Sequence, residues 1–153
     1  MMKSKRINTA IVIIFVILIT ACGTTPHCIR ERTKNIKISW GTRITNTEVH
    51  SGYEMDAMGV IRKLNADKDT DPVTRIDEDK FCSILNSTRS MLLKVQAYSV
   101  PGDTLHFISF VNPDMNTKTR LYFNPKFTEK NASKDISPLY DSLQALIPPA
   151  KRK

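Results

Sequence analysis

The chain has little of what catalytic and metal centres are usually assembled from. It holds three cysteines, three histidines and five glycines in 153 residues. No C-x-x-C occurs, which removes the common redox motif and the zinc ribbons. No G-x-S-x-G, H-E-x-x-H or glycine-rich phosphate loop occurs, so the nucleophile elbow, the zincin helix and the P-loop all lack their signature. His27, His50 and His106 lie far apart and share no metal-ligand spacing. No acid stands among the first twenty-one residues, and there is one long apolar run, Ile11 to Ile19.

That run is the most informative segment present. Lys3, Lys5 and Arg6 precede it, and Thr20, Ala21 and Cys22 follow it. A positive stretch, a short apolar stretch and small residues at a cleavage point make an export signal. A membrane span needs about 20 apolar residues, so a transmembrane helix over Ile7 to Ala21 is the poorer reading. The order Ile19-Thr20-Ala21-Cys22 resembles the lipobox of bacterial lipoprotein precursors. The resemblance implies a diacylglyceryl group on the thiol of Cys22, cleavage after Ala21 and acylation of the new amine. Two or more acyl chains hold a protein stably on a bilayer where one does not. Gly23 stands where an Asp would signal retention in the inner membrane. The expected location is therefore the cell envelope, at the outer membrane facing the periplasm, with the bilayer itself as partner through the lipid.

The formal charge of +8 overstates how basic the body is. Three of the basic residues lie in the leader and three in the tail Lys151-Arg152-Lys153. Residues 22–147 hold 17 basic and 15 acidic residues. No basic cluster shows in the linear order, so no nucleic-acid partner is expected. The chain divides into a signal peptide over 1–21, a lipidated tether over 22–34, one domain over 35–147 and a basic tail over 148–153. A body of that size suits a single core.

Alternation over Asn35 to Ile44 puts Ile36, Ile38 and Trp40 on one strand face. Tyr53 and Met55, the turn Asp56-Ala57-Met58-Gly59 and Val60 to Leu64 make a hairpin. Asp77 reads as a helix N-cap, with Glu78 and Asp79 favourable at the positive end of the helix dipole. Ile76 and Phe81 have the spacing of a hydrophobic staple. Phe81, Ile84, Leu85, Thr88 and Leu92 form the stripe of that helix. Leu93 to Tyr98, Leu105 to Val111 and Thr119 to Phe123 read as strands. Ser137 reads as the N-cap of a last helix, with Pro138 at its first position and Pro148-Pro149 beyond its end. The expected class is α+β, in the order β-β-α-β-β-β-α. Its sheet is mostly antiparallel, of about five strands, with two helices packed on one face. Phe81, Leu85, Leu105, Phe107, Leu139 and Leu143 are the expected core.

With the anchor, Ser51-Gly52-Tyr53-Glu54-Met55-Asp56-Ala57-Met58-Gly59 and Leu139-Tyr140-Asp141-Ser142-Leu143 resemble small envelope lipoproteins of one Gram-negative phylum. The resemblance carries over no functional residue. Asp103-Thr104-Leu105 and Asp141-Ser142-Leu143 resemble a short O-glycosylation motif of exported proteins in that phylum, the second inside the expected last helix.

Candidate sites are few. Lipid on Cys22 leaves Cys28 and Cys82, an even pair that an oxidising compartment joins. The alternative keeps Cys82 as a packing residue and Cys28 free. Asp67, Asp69, Asp71 and Glu78 carry oxygen ligands at the first, third, fifth and twelfth positions of a calcium loop. Pro72 occupies the position where that loop needs Gly, and proline cannot reach positive φ, so an acidic loop before a helix is the better reading. No catalytic residue, metal or cofactor is assigned. The function expected is a non-enzymatic, lipid-anchored binding or interaction module with an envelope protein as partner. The alternatives are a small periplasmic hydrolase with a dispersed site and a structural envelope protein. A small protease-inhibitor domain of one sheet and two helices is an analogy of fold only.

Overall fold

The computed structural model describes residues 26–44, 50–64, 71–95, 102–127 and 132–149. Cys22, the leader, Asp67, Asp69 and the basic residues of the tail, Lys151-Arg152-Lys153, lie outside them. The elements are β1 (Lys37–Ile44), β2 (His50–Asp56), β3 (Val60–Lys63), β4 (Thr74–Arg75), α1 (Glu78–Lys94), β5 (Thr104–Asn112), β6 (Thr117–Phe123) and α2 (Ala132–Gln144). Six strands form one antiparallel sheet in the order β4-β3-β2-β1-β5-β6. The class is α+β, as composition and periodicity indicate. No described helix is long and apolar enough to cross a membrane.

Three expectations change. The element order is β-β-β-β-α-β-β-α, with six strands rather than about five. Thr74–Arg75 is too short to announce itself by alternation, yet it pairs with β3. Leu93 does not begin a strand: α1 runs through Lys94, and the backbone N–H of Val95 closes on the Met91 carbonyl at 2.8 Å. The rest of that expected strand, up to Tyr98, lies outside the described residues. The last helix starts at Ala132, so Pro138 sits inside it. An interior proline loses one helix hydrogen bond and costs about 3 kcal/mol. Against that, the earlier start brings Ile136 onto the stripe of Leu139, Tyr140 and Leu143, where it is fully buried. Burying a side chain of that size contributes about 1.5–3 kcal/mol.

The first helix begins as its sequence dictates. The Asp77 carboxylate accepts the Lys80 backbone N–H at 2.8 Å, satisfying one of the donors a helix start leaves open. The turn before β3 is held by Asp56, whose carboxylate accepts the N–H groups of Met58 and Val60 at 2.9 and 3.0 Å. Gly59 completes it at φ 72°.

Register assigns the two sheet faces. Ile38, Trp40, Tyr53, Met55, Ile61, Ile108, Phe110, Leu121 and Phe123 share one face. They join Phe81, Cys82, Ile84 and Leu85 of α1 and Ile136, Leu139, Tyr140 and Leu143 of α2 in one core. Both helices therefore lie on that face, as expected. All six expected core residues are buried. Leu105 and Phe107 are buried on the opposite face, however, apart from the helix-covered core.

On that opposite face one row runs across the strands as Gly52, Gly41, Phe107 and Tyr122. Leu64 joins the row through its N–H to the Gly52 carbonyl, 2.8 Å. A Cβ on Gly41 would fall 2.0 Å from the Ser51 carbonyl oxygen, and one on Gly52 the same distance from that of Trp40. The two strands come too close there for any other residue. The missing side chains leave room on the row, and Phe107, at 1% exposure, uses it.

Candidate functional site

The helix-free face is where the sequence's scattered charges meet. Alternation sends Lys37, Arg43, Arg62, Arg75, Lys118 and Arg120 to it, against Glu54 and Asp56. Both acids are already engaged. Lys37 Nζ holds Glu54 at 2.8 Å and Arg62 Nη1 holds Asp56 at 3.1 Å. The Arg43 guanidinium sits 5.3 Å from the Tyr122 ring centre, and Arg120 donates to the Tyr122 hydroxyl at 3.2 Å. Among the described residues, Arg75, Lys118 and Arg120 form no ion pair with an acid. The linear order shows no basic cluster, but the sheet register makes one.

A cavity of about 260 Å3 opens on this face, lined by Ser39, Glu54, Leu64, Phe107, Ser109, Val111, Lys118 and Arg120. Its floor is the backbone-close pair Ser39 and Ser109, which face each other across β1 and β5. Ser39 Oγ donates to Glu54 at 3.3 Å. Ser109 is 1% exposed, and its Oγ has no partner among the described residues. Buried hydroxyls are nearly always hydrogen-bonded, so an orphan needs a reason. Two more orphans on this face are the Nε atoms of Arg43 and Arg62. On the helix-covered face the orphans are Trp40 Nε1 and Asn112 Oδ1. The helix-free face thus has donors in excess of acceptors.

Two other cavities differ in kind. One, of about 310 Å3, lies between the helices and is lined by Ser83, Ile84, Ser87, Met91, Pro138, Leu139 and Ser142. The Ser142 hydroxyl in it already donates to the Pro138 carbonyl at 2.8 Å. The other, of about 210 Å3, lies beside the N-terminal segment at Pro26, Met58 and Phe81. Neither carries unpaired cations with an orphan donor.

The expected tether is fastened to the domain from Pro26 onward. Cys28 and Cys82 form a disulfide, their Cα atoms 5.7 Å apart. The Glu78 carboxylate accepts the His27 backbone N–H and contacts His27 Nδ1 at 2.7 Å. The backbone donor from His27 holds the Glu78 carboxyl below the usual carboxylate range, with the imidazole contact adding to it. Asn112 Nδ2 donates to the Arg32 carbonyl at 3.0 Å, and Asn35 Nδ2 to Asp114 at 2.7 Å. Of the calcium pattern, Asp71 is exposed and Glu78 is occupied by His27, while Asp67 and Asp69 lie outside the described residues.

His106 is on the helix-covered face, opposite Thr42 in the β1–β5 register. Its ring stacks on Tyr140 with centroids 4.3 Å apart and meets Phe123 edge-on. Burial pushes its pKa down, opposed in part by the charge of Asp141. Gln144 donates to the Tyr140 hydroxyl at 2.9 Å, and burial raises the Tyr140 pKa. Histidine, hydroxyl and acid thus come together, but as a packed aromatic stack. None of the three cavities above is lined by His106. Sequence reasoning missed Ser39, Ser109, Lys118 and Arg120; only strand register brings them together. Searches against family models, curated proteins and solved structures find no match to this chain.

Proposed function

We propose that this protein is a lipid-anchored binding module of the cell envelope. It acts without catalysis, and its binding surface is the helix-free face of the sheet. One observation carries the reading: that face gathers six basic residues, two of which, Lys118 and Arg120, line a cavity with an orphan buried hydroxyl. A face of an antiparallel sheet normally meets solvent with its donors and acceptors matched, as the Lys37–Glu54 and Arg62–Asp56 pairs are. A surplus of donors suits a partner that brings acceptors.

The anchor is Cys22, lipidated at the outer membrane and facing the periplasm. The lipobox resemblance supports it, and so does the Cys28–Cys82 disulfide, which persists in oxidising compartments. The partner is an envelope component reached from the membrane surface.

The test is site-specific photocrosslinking in the native envelope, read by mass spectrometry. A crosslinker at Val111, partly exposed on the helix-free face, is expected to capture a discrete partner. One at Leu93, exposed at the end of α1, is not. Equal capture from both positions, or none from Val111, would overturn the reading. Cys22→Ser should in addition release the protein from the membrane fraction.

A further inference from the structure

We propose that the cavity over Ser39 and Ser109 binds a ligand through a single carboxylate carried on a short aliphatic stem. The proposal rests on the reading of the helix-free face as the binding surface and specifies what that surface takes. Two cations and one acid line the cavity, namely Lys118, Arg120 and Glu54. Lys37 already neutralises Glu54, so Lys118 and Arg120 are the cations left for an anionic ligand. The apolar lining by Leu64, Phe107 and Val111 suits a carboxylate on an alkyl stem better than an inorganic anion. Ser109 supplies the second, independent sign of a ligand. Its hydroxyl is buried, lines the cavity and has no acceptor among the described residues.

A carboxylate oxygen over the cavity floor would take the Ser109 O–H and draw Lys118 and Arg120 inward from the rim. Arginine matches a carboxylate with two parallel donors, which gives direction as well as charge. Ser39 is committed to Glu54, so Ser109 is the free donor of the serine pair. Phe107, Leu64 and Val111 form the apolar part of the lining and suit an aliphatic stem of a few carbons. The volume of about 260 Å3 is below the usual range of drug-sized pockets, so the ligand or ligand end is small. Two sources share this chemistry: a free short-chain carboxylic acid, and the C-terminal carboxylate of a peptide ending in an aliphatic residue.

The test titrates the full chain, held in phosphatidylcholine nanodiscs, with sodium butyrate, 1-butanol, inorganic phosphate, N-acetylvaline and N-acetylvalinamide. Binding is followed by amide shifts of Ser39, Ser109 and Arg120. Butyrate and N-acetylvaline are expected to bind, and the uncharged alcohol and amide to bind at least about tenfold more weakly, as loss of a charge-assisted pair implies. Tighter binding of N-acetylvaline than of butyrate identifies the peptide terminus as the source; parity identifies the free acid. Ser109→Ala and Arg120→Gln should each weaken butyrate about tenfold while leaving the amide spectrum otherwise unchanged. Equal affinity for butyrate and butanol would overturn the carboxylate, as would phosphate binding more tightly than butyrate. Silence of Ser109 to every probe would overturn it as well. In each of those cases capture from Val111 still decides the broader reading, because it does not depend on ligand charge.

Discussion

The two faces of this sheet are made by the same six strands and meet opposite requirements. The helix-covered face is filled with apolar side chains, and its hydroxyls and amides are few. The other face has a short buried row, Leu105, Phe107 and Ser109, bordered by cations that outnumber acids. Strand alternation alone produces the difference, since each residue and its neighbour point to opposite sides. What it teaches is that burial need not mean core. Phe81 and Phe107 are equally hidden at 1% exposure. One belongs to the core that the helices cover, and the other lies on the helix-free face, opposite Gly41 in the register.

The largest expected effect separates those two phenylalanines. Phe81→Ala should lower stability by up to about 5 kcal/mol, because α1 cannot collapse into the space. Phe107→Ala should remain nearer 3 kcal/mol, since its surroundings on the helix-free face have room to adjust. Urea melts measure both, and a greater loss for Phe107 would reverse the ranking of the faces. Reduction of Cys28–Cys82 comes next. The bond closes residues 54 apart in sequence, worth about 4 kcal/mol in the chain-entropy model. It fastens the helix side, so hydrogen exchange on reduction should rise first in α1 and last in β5.

His106 makes a smaller, pH-dependent difference. Its folded pKa is lowered by burial, so the folded state binds fewer protons than the unfolded state. Stability should be highest above the unfolded value of about 6.5 and fall as pH drops toward the folded value, then level off. His106→Gln should flatten that portion of the stability profile, measured between pH 8 and pH 4. Glu78, also depressed, contributes the same sign at lower pH, as its carboxylate protonates and releases the His27 backbone donor.

The smallest effect sharpens the comparison most. Ser109, at 1% exposure, is buried to the degree of a core residue, yet Ser109→Ala should change stability by less than about 1 kcal/mol, or raise it. The substitution removes an unsatisfied donor without leaving a partner behind. Loss of several kcal/mol in a thermal melt would show that the hydroxyl serves the fold.

Much of the fold was legible because its signals are local. Asp77, Glu78 and Asp79 announce the start of α1, and its apolar stripe needs only helical spacing. The cysteine pair followed from counting thiols. The start of α2 was misread because Pro138 fits the first helical turn so well by local rules. The burial of Ile136, a tertiary gain, decided otherwise. Val95 was misread for a related reason: a β-branched residue after Leu93 suits a strand, but there it ends α1. The candidate site was not legible at all. Lys37, Arg43, Arg62, Arg75, Lys118 and Arg120 are spread over eighty-odd positions in a nearly neutral body. Only the pairing of β5 with both β1 and β6 brings Ser109 opposite Ser39 on one side and Arg120 on the other.

The fastening of the N-terminal segment also sets a distance. With Cys28 bound to α1, Cys22 lies six positions before the fastened residue. Fully extended, that stretch reaches about 20 Å. A domain whose lipid sits on Cys22 therefore keeps its point of fastening within that distance of the bilayer surface. The disulfide holds this leash on the helix side, across the sheet from the cavity. Ligands lying near that surface would meet the cavity at high effective concentration, while those deeper in the compartment would have to diffuse to it.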